Sequence, residues 1–226
     1  MKSNQIKLCV FDLAGTLVVD HNYVRKYFIK AFHEADLHLD ADLVDGQMGV
    51  EKKKAILTLL NHFPQLKGKQ TLANKIHTSF NEGMIDYYTH HAKPMPFANT
   101  TITKLKEHGY KIAVNTGFGK KIMKTILHTL RWNDVMDVAI SADQVLAGRP
   151  APDMIEYIMK KTKINDPGQI AKIGDTPVDL KEGHNAKCAL NIGIAKDQIK
   201  ANELLSYPHT HVVPNLRTAL EIILNY

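Results

Sequence analysis

Ile6-Lys7-Leu8-Cys9-Val10-Phe11-Asp12-Leu13-Ala14-Gly15-Thr16 is the stretch that decides how this chain folds. The apolar run up to Phe11 has the length of a buried strand, Asp12 stands where that strand ends, and Gly15-Thr16 supply a tight turn behind it. Working outward, four similar runs follow. Residues 111–115 stop at Thr116-Gly117, 135–140 at Ser141, 170–173 at Gly174-Asp175, and 188–192 at Gly193. Helix-length segments separate them at 96–108, 120–130, 152–163 and 178–185. Strands alternating with helices predict an α/β fold with a doubly wound, Rossmann-like parallel sheet, in which polar residues just past the strand ends gather at one edge.

Between residues 20 and 91 the alternation stops and only helical periodicity remains. Tyr23, Tyr27, Ala31 and Phe32 recur at helical spacing, as do Ile56, Leu59, Leu60 and Phe63, and Leu72, Ile76, Phe80 and Met84. Pro94 and Pro96 mark the return to the core. The expected organisation is an α/β core of residues 1–19 and 92–226, interrupted after its first strand by an inserted helical cap domain of residues 20–91. A cap there would lie over the strand ends and exclude water from a reaction.

Composition narrows the class. With 226 residues, 44% of them hydrophobic and 23% charged, the chain can bury a sizeable core, which excludes disordered, collagen-like and disulfide-scaffold proteins. Its apolar runs all fall short of the roughly 18 residues a membrane helix needs, so no membrane partner is expected. The polar start lacks the regions of a signal peptide, and a cytoplasmic location is expected. Cys9 and Cys188, both in apolar stretches, read as reduced packing residues. The net charge of +6, from 29 Lys plus Arg against 23 Asp plus Glu, hints at phosphorylated substrates. Those cations are scattered and not interleaved with aromatics, which fits a solvated surface and no nucleic-acid partner.

The residues at the strand ends carry the chemistry. Asp12 can act as a nucleophile; Thr116 offers a hydroxyl; Arg149, before Pro150, offers a cation; Gly174-Asp175-Thr176-Pro177-Val178-Asp179 holds two acids four apart. These are parts for phosphoryl transfer: a carboxylate attacks phosphorus, a hydroxyl and a cation hold its oxygens, and a further acid helps hold a hard divalent metal. In order and spacing the pieces resemble the motifs of the haloacid dehalogenase superfamily across essentially the whole chain. The resemblance implies an aspartyl-enzyme intermediate and magnesium bound by Asp12, the Ala14 carbonyl and Asp175, with Asp179 near the metal.

Most phosphatases of that superfamily have Asp two residues after the nucleophile, where this chain has Ala14. No carboxyl at that position can protonate a leaving group, a contribution commonly worth about 10²–10⁴ in rate. The phosphonoacetaldehyde hydrolase branch has Ala at this place, because a cap lysine forms a Schiff base with the substrate aldehyde and becomes the electron sink for C–P cleavage. The chain resembles that branch in Asp12-x-Ala14-Gly15-Thr16, Met48-Gly49-Val50-Glu51-Lys52, Gly148-Arg149-Pro150-x-Pro152 and Glu182-Gly183-x-Asn185-Ala186. It departs from it at Ala55, where the branch has His, and at Leu13, where it has Trp.

By this resemblance Lys52 takes the position of the Schiff-base lysine, and Gly15, Thr16, Met48, Gly117 and Phe118 are expected to contact a small phosphorylated or phosphonated metabolite. A homodimer through the cap helices is also implied. Read from the residues alone, Lys52 shares a helical register with Ile56, Leu59 and Phe63 that would face it to the core, and a buried amine next to Lys53 would have its proton affinity lowered. Lys52-Lys53-Lys54 also reads as a solvated helix face. The runner-up function is a phosphate monoesterase, and a third reading is a nonenzymatic phospholigand-binding protein.

Other signals read as structure. Gly117-Phe118-Gly119 lacks the third Gly of a dinucleotide loop, and Gly119-Lys120-Lys121 lacks the residues of a Walker loop. His90-His91 and His209-x-His211 read as exposed loop histidines rather than metal ligands. Thr116 and Asp175 also read as caps of the helices that follow them, in addition to any site role.

Overall fold

The computed structural model describes residues 5–226. Six strands, β1 (Leu8–Phe11), β2 (Lys111–Thr116), β3 (Val138–Ser141), β4 (Ile170–Gly174), β5 (Leu190–Ile194) and β6 (His211–Val213), form one sheet in the order β3-β2-β1-β4-β5-β6. Every neighbouring pair is parallel. The strand order reverses between β1 and β4, which opens a crevice at their carboxyl ends.

β1 lies at the centre, and all four of its side chains are shut off from solvent. Leu8 and Val10 pack with Met154, Ile155 and Ile158 of helix α7 (Asp153–Thr162). Cys9 and Phe11 belong to the opposite face, with Ile102 and Leu105 of α5 (Ala98–Glu107) and Leu220 and Ile223 of α10 (Leu216–Leu224). A strand covered on both faces has no polar side, which is why this one reads as a continuous apolar run. Each such side chain contributes about 1.5–3 kcal/mol by burial. Both cysteines are free thiols.

The remaining core helices are α6 (Lys120–Thr129), α8 (Pro177–Asn185) and α9 (Gln198–Leu205). Two strands begin later than the apolar runs suggest. Residues 135 and 136 turn back on Trp132, whose carbonyl accepts from both Val135 N and Met136 N, so β3 starts only at Val138. Cys188 N donates to Gly183 O, closing the end of α8 before β5 begins at Leu190. The edge strand β6 is three residues long and contains His211, which the sequence places in a loop.

Helices α1 (Tyr23–His33), α2 (Ala41–Asp45), α3 (Lys52–Leu59) and α4 (Lys69–His91) fill the insert. In α1 the stripe facing inward is Val24, Phe28, Ala31 and Phe32, while Tyr23 and Tyr27 are half-buried against Tyr87 of α4. α3 ends at Leu59 and tightens into a 3₁₀ turn at Leu60–His62, which drops Phe63 out of the helical register. Where the chain leaves and re-enters the sheet, Val19 N donates to Lys93 O at 2.9 Å and Met95 N to Leu17 O at 2.8 Å. We propose that α1 to α4 constitute the cap domain of residues 20–91, with these paired connectors as its hinge. No helix among the described residues is long and apolar enough to cross a membrane.

Candidate active site

The crevice collects side chains from the carboxyl ends of β1, β2 and β4. Asp12 follows β1 directly, and its backbone N–H donates to Ile173 O at 2.9 Å, which carries the β1–β4 ladder one residue past the strand. The residue is only 4% exposed. Gly15 makes the turn behind it with φ +92°, and a Cβ there would collide with the Asp175 carboxyl. Glycine is therefore required on both grounds. Thr16 is buried and its hydroxyl donates to Asp175 Oδ1 at 2.8 Å, tying the β1 turn to the end of β4.

Arg149, 2% exposed, reaches into the crevice and pairs through Nη1 with Asp12 Oδ1 at 2.9 Å and with Asp179 Oδ1. Asp179 has a second role at the start of α8. Thr176 is the N-cap, and its side chain and that of Asp179 form a reciprocal capping box. The caps expected at Thr116 and Asp175 fall elsewhere: Thr116 is the last residue of β2 and α6 begins only behind Gly119, while Asp175 follows β4 directly and α8 begins behind Thr176. The Thr116 hydroxyl instead accepts from Phe118 N at 3.2 Å.

Beneath this layer lies a polar network that sequence reasoning missed. Lys172, in the middle of β4, has its Nζ 2.9 Å from Asp179 Oδ1 and 3.3 Å from Glu182 Oε2, and it donates to Asn115 Oδ1 at 2.8 Å. Asn115 Nδ2 donates to both Glu182 oxygens at 2.7 and 2.8 Å. All four are buried. The available signal was a lysine inside the apolar run Ile170-Ala171-Lys172-Ile173 and an asparagine closing another, since a charge in a buried strand must be paired.

The electrostatics follow from crowding charges in a dry place. Burial raises the Asp12 carboxyl; Arg149 pulls it back down and Asp179 pushes it up again. Burial also raises Asp179, but Arg149 and Lys172 outweigh it and hold the carboxyl well below its usual range. Asp175, pushed up to about 8 by burial and then by Asp12 and Asp179, has Thr16 as its one hydrogen-bond donor among the described residues. Asp12, Asp175 and Asp179 each offer an oxygen within 4.8 Å of the others. Oxygen donors with an uncompensated negative charge, one of them half-buried and facing the crevice, fit a hard divalent cation.

The insert supplies the other wall. Glu51 caps α3, accepting from Lys53 N and Lys54 N at 2.8 Å each, and so sets Lys52 as the first helical residue. Lys52 is 4% exposed and Lys54 is exposed, so the three lysines do not share a solvated face. The Lys52 Nζ donates to Val50 O at 3.2 Å and lies 5.7 and 5.3 Å from the ring centres of Phe28 and Phe118. Its pKa is lowered to about 8 by burial and then by Arg149, against the pull of Asp12, Asp20 and Glu51. The depression thus comes first from burial and then from Arg149 across the crevice, and Lys53 is not among its causes. The 49–50 backbone rests on the core: a Cβ at Gly117 would stand 2.6 Å from both Gly49 O and Val50 O. Met48 is half-buried at this junction. The structure thus brings Asp12, Thr16, Lys52, Gly117, Phe118, Arg149, Asp175 and Asp179 to one crevice, while the histidine pairs belong to no metal-binding group among the described residues.

A doubly wound sheet with a buried carboxylate at the end of its first strand, acids at the end of its fourth and helices inserted after the first is the arrangement of a class of α/β hydrolases. The sequence profile of haloacid dehalogenase-like hydrolases matches residues 9–191, and the chain belongs to this family. It is 29% identical to the phosphonoacetaldehyde hydrolase of Latilactobacillus sakei over 92% of this chain and 81% of that protein. Among solved structures, a phosphonoacetaldehyde hydrolase-like protein from Oleispira antarctica superposes with a TM-score of 0.87 at 18% identity, covering 96% of this chain and 92% of the other. A predicted phosphoglycolate phosphatase from Haemophilus somnus superposes with a TM-score of 0.78 at 19% identity, covering 98% and 99%.

Proposed function

We propose that this hydrolase is phosphonatase-like: it cleaves the C–P bond of a small phosphonated aldehyde, phosphonoacetaldehyde being the reference substrate. The observation that carries the reading is Lys52, a buried amine with a pKa of about 8 and no carboxylate bonded to it among the described residues, facing the crevice that holds Asp12. Such an amine loses its proton at modest cost and can attack a carbonyl. The relatives named phosphonoacetaldehyde hydrolase, and Ala14 in place of an acid, support the same reading.

In this scheme the Lys52 amine adds to the aldehyde carbon, and loss of water leaves a protonated imine. An Asp12 oxygen then attacks phosphorus while the C–P electron pair moves into the imine, giving an enamine on Lys52 and a phosphoryl group on Asp12. Protonation and hydrolysis of the enamine release acetaldehyde and the free amine; water on the phosphoryl group releases phosphate. Arg149 and Thr116 hold phosphoryl oxygens, while Gly15, Thr16, Met48, Gly117 and Phe118 shape the space around the substrate. Asp12, Asp175 and the Ala14 carbonyl, with Asp179 beside them, would hold magnesium, which supplies charge to offset repulsion between the carboxylate and the phosphoryl oxygens. Lys172 keeps Asp179 in place beneath Arg149.

The test is phosphate release from phosphonoacetaldehyde with magnesium, with borohydride added to trap the imine. The expected outcome is turnover with an adduct mapped to Lys52, and a loss of at least about 10³-fold in Lys52→Ala. Ala55 and Leu13, which depart from the branch pattern, favour a second reading as a phosphatase of small monoesters. Under that reading monoesters turn over, no adduct forms, and Lys52→Ala retains much of its activity.

A further inference from the structure

Tyr88, near the end of α4, is wholly buried, and its hydroxyl meets no donor or acceptor among the described residues. A buried hydroxyl without a partner is a liability that phenylalanine would avoid, so its retention asks for a partner that comes and goes. The ring's position says where that partner would lie. It stands edge-on to Phe118, with ring centres 5.8 Å apart, and Phe118 is the ring beneath the Lys52 amine. Tyr88 and Lys52 therefore approach one aromatic plate from the cap, above the Asp12 crevice. Burial keeps the phenol protonated far into the alkaline range, and the charges of Asp20, Tyr87, Asp12 and Asp175 push the same way. Asp20 already accepts Val24 N at 2.9 Å as the start of α1. What Tyr88 offers the crevice is a neutral hydrogen-bond donor.

We propose that the Tyr88 hydroxyl is a substrate contact, donating a hydrogen bond to the aldehyde oxygen of a phosphonated aldehyde seated between Lys52 and Asp12. This rests on the phosphonatase-like reading and adds to it a residue that polarises the carbonyl toward the amine. The contact gives the unpartnered hydroxyl an acceptor only when substrate is bound. It also makes Tyr88 a selector for substrates that carry a carbonyl on the cap side of the phosphoryl group.

Tyr88→Phe removes one atom and tests the idea. Four readouts are compared with the wild type: thermal midpoint without ligand, KM and kcat for phosphonoacetaldehyde, the borohydride-trapped fraction at Lys52 below saturation, and inhibition by inorganic phosphate with magnesium. The expected result is an unchanged or higher midpoint, kcat/KM and trapping each reduced by about tenfold, the loss of one hydrogen bond, and unchanged phosphate inhibition. A lower midpoint with wild-type kinetics would mark the hydroxyl as structural and overturn the proposal. An equal loss of phosphate affinity would move the contact to the phosphoryl end and overturn the aldehyde assignment. Wild-type turnover with a Lys52 adduct and no effect of Tyr88→Phe overturns Tyr88 alone and leaves the phosphonatase-like reading standing. A wild-type enzyme inert toward phosphonoacetaldehyde removes both.

Discussion

The two walls of the crevice are built on opposite principles. On the core side, Asp12, Asp179 and Glu182 share Arg149 and Lys172 through ion pairs, nearly all fully buried. On the cap side, Lys52 stands over the rings of Phe28 and Phe118, the latter met edge-on by Tyr88, with a backbone carbonyl as its hydrogen-bond partner. The first wall is an electrostatic device, preorganised to hold anionic oxygens and to keep a carboxylate charged where burial opposes it. The second uses burial itself to lower the proton affinity of an amine. Under the proposed reading, the difference assigns the phosphoryl chemistry to the sheet and the amine chemistry to the insert.

The sharpest way to break this division is at the nucleophile. Asp12→Asn preserves shape and leaves Arg149 paired with Asp179, yet it removes the attacking oxygen anion; we expect turnover of any phosphoryl substrate to fall by about 10⁴-fold or more. Steady-state phosphate release, with the circular dichroism spectrum as a check on folding, measures it, and residual activity within a hundredfold of wild type would mean that another group attacks. Next in size is Lys172→Met. It takes one buried cation from Asp179, which keeps Arg149, and the only paired cation from Glu182, which keeps Asn115 among the described residues, and we expect a loss of about 3–5 kcal/mol in stability. Urea unfolding reads this directly, and a loss below about 1 kcal/mol would show that the network beneath the core wall is not what holds it.

These two walls were unequally legible in the sequence. The core wall was read from strand ends, because a parallel sheet delivers every residue just past a strand to one edge whatever the intervening chain does. Asp12, Thr116 and Asp175 were placed at that edge by position alone, while Arg149, in the loop before α7, was singled out with the help of the resemblance. Lys172 and Asn115 were missed because they lie within strands, where an apolar-run reading passes over a single polar residue; only the requirement that a buried charge be paired would have exposed them. On the cap side, helical periodicity recovered the elements but not the details of their faces. It ran Phe63 into the same stripe as Lys52, past the 3₁₀ turn at Leu60–His62, and gave Tyr23 and Tyr27 the inward positions that Val24 and Phe28 hold. Tyr88 carried no sequence signal at all, since its significance rests on a missing partner that only packing reveals.

The cap wall can be sharpened by pH. With its pKa near 8, about a tenth of Lys52 is neutral at pH 7 and about nine tenths at pH 9. Imine formation needs the neutral amine, so the rate of borohydride-trapped adduct formation should rise about tenfold over that interval and level off above it. A flat profile, or a rise that continues past pH 10 as for an ordinary lysine, would show that burial does not tune this amine.

The smallest effect expected is also the most specific to how the cap wall is made. Glu51 holds the first turn of α3 through two backbone N–H groups, and Lys52 is the next residue, so the cap decides where the amine begins its reach into the crevice. Glu51→Ala should cost about 1 kcal/mol of stability, the usual loss of an N-cap. It also removes one of the negative charges that favour the protonated amine, which alone would lower the Lys52 pKa further and speed trapping at pH 7. Fraying of the first turn acts the other way, because it lets Lys52 reach water and regain its proton. The sign of the change therefore separates the two contributions. A faster trapping rate at pH 7 would mean that the helix start survives and that Glu51 acts through its charge, while a slower one would show that the geometry of the capped turn is what keeps the lysine dry.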